Sequence, residues 1–203
     1  MGVPEEIIVS PFEVWFAELA DTLAFPDIDA DPTSPWTKLG TSGKLSMSED
    51  GVSIQHSQSI EEVRTYGSTG PVKAVRTSED LIITFTLYDL TIEAYARLLN
   101  FGKVTTTAAT VGKAGYKAVP ILRGTELTLR AWLIRGPSAH LADHNMQYEI
   151  PMAYVAGSPT VAYSKGSPAG LEFELHALED VAGTTPKGFG TIRAAHAAAL
   201  PVG

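Results

Sequence analysis

The most regular alternation in the chain is Glu79-Asp80-Leu81-Ile82-Ile83-Thr84-Phe85-Thr86-Leu87-Tyr88. Successive side chains of a strand point to opposite faces, so Leu81, Ile83, Phe85 and Leu87 share one face and Ile82, Thr84, Thr86 and Tyr88 the other. The first face is expected in the core. Asp89-Leu90-Thr91-Ile92-Glu93-Ala94-Tyr95 follows directly, and there the period changes. Asp89 or Thr91 can cap a helix over about 91–100, Glu93 sits in its first turn, and Gly102 ends it. Ile92, Tyr95 and Leu99, with Leu98 beside them, predict the face that packs on the sheet.

Working outward, strands are expected at 5–9 and at 12–19 (Phe-Glu-Val-Trp-Phe-Ala-Glu-Leu), and Pro26, Pro32 and Pro35 mark a loop over 24–35. Residues 44–48 and 51–57 read as strands around Glu49-Asp50-Gly51, a hairpin signal. Residues 57–77 read as a long polar loop between two better strands, and a compact domain rarely carries such a loop without a use for it. Residues 103–118 are rich in Thr, Ala and Gly. Further strands are expected at 125–135, at 146–155, where Pro151 predicts an edge or a bulge, and at 171–178, where Leu171, Phe173, Leu175 and Ala177 oppose Glu172, Glu174 and His176. The sum is a mainly β fold, a sandwich or barrel with one flanking helix and an extended polar loop. With 203 residues the chain suits one domain. That domain spans 1–182, with an acidic segment at 1–35, and an arm rich in Gly, Ala, Thr and Pro follows at 183–203.

The charge is unevenly placed. The net charge is −8, from 15 basic and 23 acidic residues. Eight of the acids (Glu5, Glu6, Glu13, Glu18, Asp21, Asp27, Asp29 and Asp31) lie in residues 1–35, which hold no Lys or Arg. Arg97, Lys103, Lys113, Lys117, Arg123, Arg130 and Arg135 then face one acid, Glu126. These regions pair within one subunit, or meet between subunits where complementary patches fix register. The overall charge disfavours tight binding of nucleic-acid phosphates. The start of the chain is acidic, unlike a signal peptide. No run approaches the roughly 18 apolar residues of a membrane span, so no membrane partner is expected. The absence of cysteine excludes disulfides, thiolate metal sites and cysteine catalysis, and it suits synthesis in a reducing cytoplasm.

The residues that could carry chemistry do not assemble into a motif. Asp27-Ile28-Asp29-Ala30-Asp31 begins like a calcium loop, but Pro32 stands at the glycine position and Lys38 at the final ligand position. Gly40-Thr41-Ser42-Gly43-Lys44 lacks the spacing of a phosphate loop, and Gly188-Phe189-Gly190 follows no strand. His140 and His144 read as loop residues, and His56, His176 and His196 have no evident partners. No Gly-x-Ser-x-Gly is present. Glu172 and Glu174 share a strand face, as adjacent carboxylates on a wet face do. Neither catalysis nor a cofactor is expected.

The segment from Pro35 to Asn100 resembles the tail tube proteins (major tail proteins) of long-tailed bacteriophages and related gene-transfer agents. The resemblance rests on Trp36 followed by Leu39-Gly40, on Gly51-Val52-Ser53-Ile54, on the polar loop with Gly67 and Gly70-Pro71, and on the strand–Asp–helix succession from Leu81 to Tyr95. It covers the first half of the chain; the second half agrees in strand content alone.

The resemblance implies a β-sandwich or barrel subunit that closes into hexameric rings, which stack into the hollow tube of the virion tail. Its implied partners are other copies of the chain, a tape-measure protein, distal tail and tail-terminator proteins, and DNA passing through the bore without tight binding. On this reading the 57–77 loop reaches a neighbouring subunit. Glu61, Glu62, Arg64, Lys73 and Arg76 would make polar contacts there, beside Tyr66 and Pro71, with Gly67 and Gly70 allowing the turn. An acidic bore would keep phosphates from adhering, and Glu172 and Glu174 are candidates to line it. A single-ring head–tail connector or tail terminator is the nearest alternative. A β-sandwich binding module would instead need an aromatic platform, and Trp15, Trp36 and Trp132 are scattered in sequence.

Overall fold

The computed structural model describes residues 8, 12–21, 23–139, 144–181 and 188–195. The strand expected at 5–9, apart from residue 8, and the histidines at 140 and 196 lie outside that set. In chain order the strands are β1 (Glu13–Glu18), β2 (Thr37–Lys38), β3 (Met47–Arg64) and β4 (Pro71–Leu87). The helix α1 (Ile92–Leu98) comes next, then β5 (Thr105–Thr107) and β6 (Tyr116–Ala118). β7 (Arg130–Pro137), β8 (Asn145–Val155), β9 (Leu171–Ala177) and β10 (Thr191–Ala194) complete the chain. One antiparallel sheet runs β2-β1-β7-β8-β9-β4-β3, and β5 and β6 form a separate two-stranded ribbon.

β8 is where the sheet divides. Its first half pairs with β10 (Tyr148 opposite Ile192) and its last residues pair with β9 (Val155 opposite Leu175). The two halves of the sheet share one core. Val14, Trp132, Ile134 and Ile150 meet Leu81, Ile83, Phe85, Leu87, Phe173 and Leu175, with Ala94 and Leu98 of the helix packed against them. Phe85 and Phe173 stack with their rings 5.1 Å apart. The alternations expected for β4 and β9 are therefore borne out: all four inward residues of each are buried.

β7 is buried on both faces. Trp132 and Ile134 enter the main core, whereas Ala131 and Leu133 pack with Trp15, Ala17 and Trp36 under Leu23 and Phe25. The proline-rich loop thus forms a lid on the outer face of β1 and β7. Trp36 closes it, donating from Nε1 to the Ala24 carbonyl at 3.1 Å and packing 5.0 Å from the Phe25 ring. All three tryptophans are buried, so none contributes to an exposed aromatic platform.

Four expectations need correction. Glu49-Asp50-Gly51 does not turn the chain. It bulges out of a continuous β3 between Met47 and Val52, which pair with Leu87 and Phe85, and Gly51 takes φ 68 within it. The helix is shorter than expected: Thr91 caps it by accepting from the Ala94 amide, and Ala94, Ala96 and Leu98 are its buried residues, while of the expected face Leu98 is in the core and Tyr95 packs partly buried against it. The helix is followed by Asn100 and Phe101, both with φ near 60, rather than by a left-handed glycine at 102. Part of the C-terminal arm is β10, which joins the main sheet. Its approach requires Gly190, where φ is 138 and a Cβ would stand 2.0 Å from the Glu149 carbonyl oxygen. Pro151 does mark a bulge, since the register between β7 and β8 shifts between Arg130 and Trp132.

Between α1 and β7 the chain makes an excursion with no buried residue from Leu99 to Arg130. Asn100 closes its base. Its Nδ2 donates to the carbonyls of Arg123 (2.8 Å) and Glu126 (2.7 Å), and its Oδ1 accepts from the Thr128 amide (2.7 Å).

Candidate assembly surface

Residues 57–77 form the distal half of a β-hairpin, not a loop. β3 and β4 stay paired to Arg64 and Pro71, through Glu61 opposite Val75, Glu62 opposite Ala74 and Val63 opposite Lys73. Every residue from 58 to 69 and from 71 to 80 is exposed, so the hairpin stands clear of the domain with both faces in solvent.

Directly opposed residues share a face. One face carries Ile60 with Arg76 and Glu62 with Ala74; the other carries Glu61 with Val75 and Val63 with Lys73. The polar side chains are organised along the ribbon. Arg64 bridges to Glu62 at 2.8 Å, and Arg76 reaches Gln58 at 2.8 Å and Glu79 at 3.2 Å. These pairs are exposed and add little stability. Between them Ile60, Val63, Val72 and Val75 are each about half exposed. At the tip Tyr66 is fully exposed, and the turn is held by the Ser68 amide donating to the Thr65 carbonyl at 3.1 Å. Neither Gly67 nor Gly70 has a positive φ, and a Cβ on either would meet nothing. The turn therefore does not depend on glycine at these two positions.

Glu172 and Glu174 lie opposite Thr86 and Thr84 on the outward face of β9. The same face of β4 carries Asp80, Ile82, Thr84 and Thr86, and β3 adds Ser53, Gln55 and Ser57. Among these residues there are three carboxylates and no Lys or Arg. Glu174 also meets His176 Nε2 at 2.9 Å, and His176 lies 5.8 Å from the Tyr154 ring. Asp80 is the member that sequence reasoning missed. It lies on the same alternation as Thr84, opposite Ser57 of β3 and two residues beyond Ile82, which pairs with His176.

The acidic segment meets the basic middle within the subunit at Arg130 and Arg135, and it also reaches Arg193 and His144 beyond it. Glu18 bridges to Arg130 (3.1 Å), Asp27 to Arg193 (3.7 Å), and Asp29 contacts His144 (3.0 Å). Arg135 is the central element. Its guanidinium is buried, donates to the carbonyls of Asp27 and Ala30, and is held by Gln147 Oε1. Burial lowers its pKa below the ordinary value, against the pull of Asp31, Asp29 and Glu149. The aspartate loop is thus organised around a buried cation, its carbonyls turned inward to Arg135.

No protein-family model matches the chain, and no curated protein matches it either.

Proposed function

We propose that this chain is a structural, self-assembling subunit of a tail-tube type. Its copies would close into rings, hexameric if the family resemblance holds, and the rings would stack into a hollow tube of a virion tail or gene-transfer agent, through which DNA passes. The role is architectural rather than catalytic. The observation that carries it is the β3–β4 hairpin: a paired ribbon held away from the domain, with Ile60, Val63, Val72 and Val75 exposed among organised charges. Such a ribbon buries almost nothing in its own subunit, and its apolar residues gain from burial against another. The outer edge of β3 also has no strand beside it, and an unpaired edge of that length invites pairing with a second chain.

The face bearing Asp80, Glu172 and Glu174 is the proposed bore lining, where like charge repels phosphates. The tape-measure, distal tail and tail-terminator partners are proposals on the same footing. The experiment replaces residues 63–73 with Asn-Gly, a two-residue turn that keeps Glu62 opposite Ala74. Because the segment is solvent-exposed, the monomer should keep its stability to within about 0.5 kcal/mol while losing assembly. Unaltered tubes from this variant would remove the hairpin from the account.

A further inference from the structure

A second feature, independent of the hairpin, is the excursion between α1 and β7 that Asn100 closes at its base. This arm has regular structure in its β5–β6 ribbon and a fixed base, yet its large apolar side chains face solvent. Val111 is fully exposed, Ile121 is 84% exposed, and Tyr116, Leu122 and Leu127 exceed 60%. Around them stand Lys103, Lys113 and Arg123, while Lys117 is taken up by Glu93 of the helix. Exposed apolar residues along an arm whose charges are basic apart from Glu126 mark a contact surface, because isolated subunits seldom leave such a patch open.

The chain carries a surface of matching chemistry. A groove of about 700 Å³ lies between the base of the β3–β4 hairpin, β8 and β10. Leu81, Tyr148, Phe189 and Ile192 supply its apolar lining, and Glu79 and Glu179 its carboxylates, Glu79 being already paired with Arg76 at 3.2 Å. Asp21 and Asp180 line the adjoining hollow. Glu149, at the junction of the two, is already bonded to Arg193 at 2.8 Å. No Lys or Arg lines either hollow among the described residues. The arm is therefore apolar with a basic excess, and the charged residues that line the hollows are acidic, two of them, Glu79 and Glu149, each already paired with an arginine.

We infer that the 103–127 arm of one copy seats in the acidic groove of a second copy. The inference rests on the self-assembly reading and names one contact within it. Its geometry is heterologous. Glu79 in the groove and Leu87, where the chain leaves for α1 and the arm, stand eight residues apart on β4, roughly 26 Å along the strand. Arm and groove thus lie towards different ends of one subunit. Made once per neighbour, such an arm-to-groove contact is head-to-tail and its repetition generates a ring or an open stack; made reciprocally by two antiparallel copies it would close a dimer, and that outcome would count against the tube. The rim charges set register, and the apolar side chains supply most of the affinity.

The test is isotope-mixed photo-crosslinking with the full chain. A benzophenone amino acid replaces Tyr116, and light and nitrogen-15 copies are mixed in equal amounts under assembling conditions. The expected products join peptides around position 116 to peptides containing 77–81 or 188–192 in light–heavy pairs. In parallel, the double variant K113E/R123E should raise the concentration needed for assembly by about tenfold, E79K/E179K should do the same, and combining all four should recover most of the loss. Crosslinks confined to one chain, or directed elsewhere on a neighbour, overturn the inference. So does a chain that stays monomeric at all concentrations. Hollow tubes with crosslinks elsewhere overturn the inference alone and leave the tube reading in place. Arm–groove crosslinks in rings that never stack support the inference and count against the tube.

Discussion

Arg135 illustrates how a residue read from sequence as part of a basic region becomes a structural pin. Its guanidinium reaches the carbonyls of a loop more than a hundred positions earlier, and Gln147 completes its partners. Removing it leaves those carbonyls and Gln147 without their donor beneath the loop. Arg135→Ala should therefore cost about 3 kcal/mol in urea unfolding, and Lys should restore little of that, because a single ammonium cannot span three acceptors in a fixed fork. A loss below about 0.5 kcal/mol would contradict this role. Asn100 is a second pin. It tolerates its φ of 60 better than alanine does, and its side chain makes three hydrogen bonds at the base of the arm. Asn100→Ala should lose about 2 kcal/mol, and the arm should become the first site of limited proteolysis. Unchanged cleavage there would show that the arm is held by other contacts.

At the scale of elements, the ion pair between Lys117 of β6 and Glu93 of α1 ties the arm to the helix. The hydrogen bond from Lys117 holds the Glu93 carboxyl below its ordinary 4.5, with a backbone hydrogen bond adding to the effect. A lowered folded-state value means that the tie is fully present above pH 4.5 and is lost as pH falls through the lowered value. Amide shifts of Tyr116–Ala118 should accordingly stay constant from pH 7 to 5 and move in more acidic solution. Glu93→Gln should remove that movement; its persistence in the variant would assign the titration to another group.

Elements with one wet and one dry face are legible in sequence, and those without are not. β4 and β9 alternate because each has its inward residues in the core. The distal hairpin has water on both faces, so nothing imposes a period and its paired strands look like a loop. Glu49-Asp50-Gly51 has the chemistry of a turn, and a bulge uses the same chemistry. The helix face was legible in part: Leu98 is in the core and Tyr95 packs partly buried against it, whereas Ala94, also in the core, is too small to give an apolar signal of its own. Of the candidate site, Glu172 and Glu174 were visible from alternation alone. Asp80 was not singled out, because its place on that face depends on the pairing of β4 with β3, where it stands opposite Ser57.

At the scale of the whole molecule, the subunit keeps a well-packed core and leaves three features facing outward: the hairpin, the open edge of β3 and the stapled arm. Apart from the Lys117–Glu93 pair and the Asn100 hydrogen bonds that fix the arm, they are largely uncovered within the described part of the subunit, and on the proposed reading copies of the chain cover them. The proposal assigns the acidic β3–β4–β9 face to the bore, and a net charge of −8 suits a surface that phosphates do not grip. Reversing that face with E172K/E174K should leave assembly within about twofold, since the changes are at solvent, and give tubes that retain short double-stranded DNA at low salt and release it as salt rises. Tubes that remain indifferent to DNA would place these glutamates outside the bore. The most direct measurement of the central claim is electron microscopy of the purified chain over a rising concentration series, with and without isolated tail-tip components as initiator. The account predicts hollow tubes of stacked rings, with the hairpin between subunits in the reconstruction. A chain that stays monomeric in both series would contradict it.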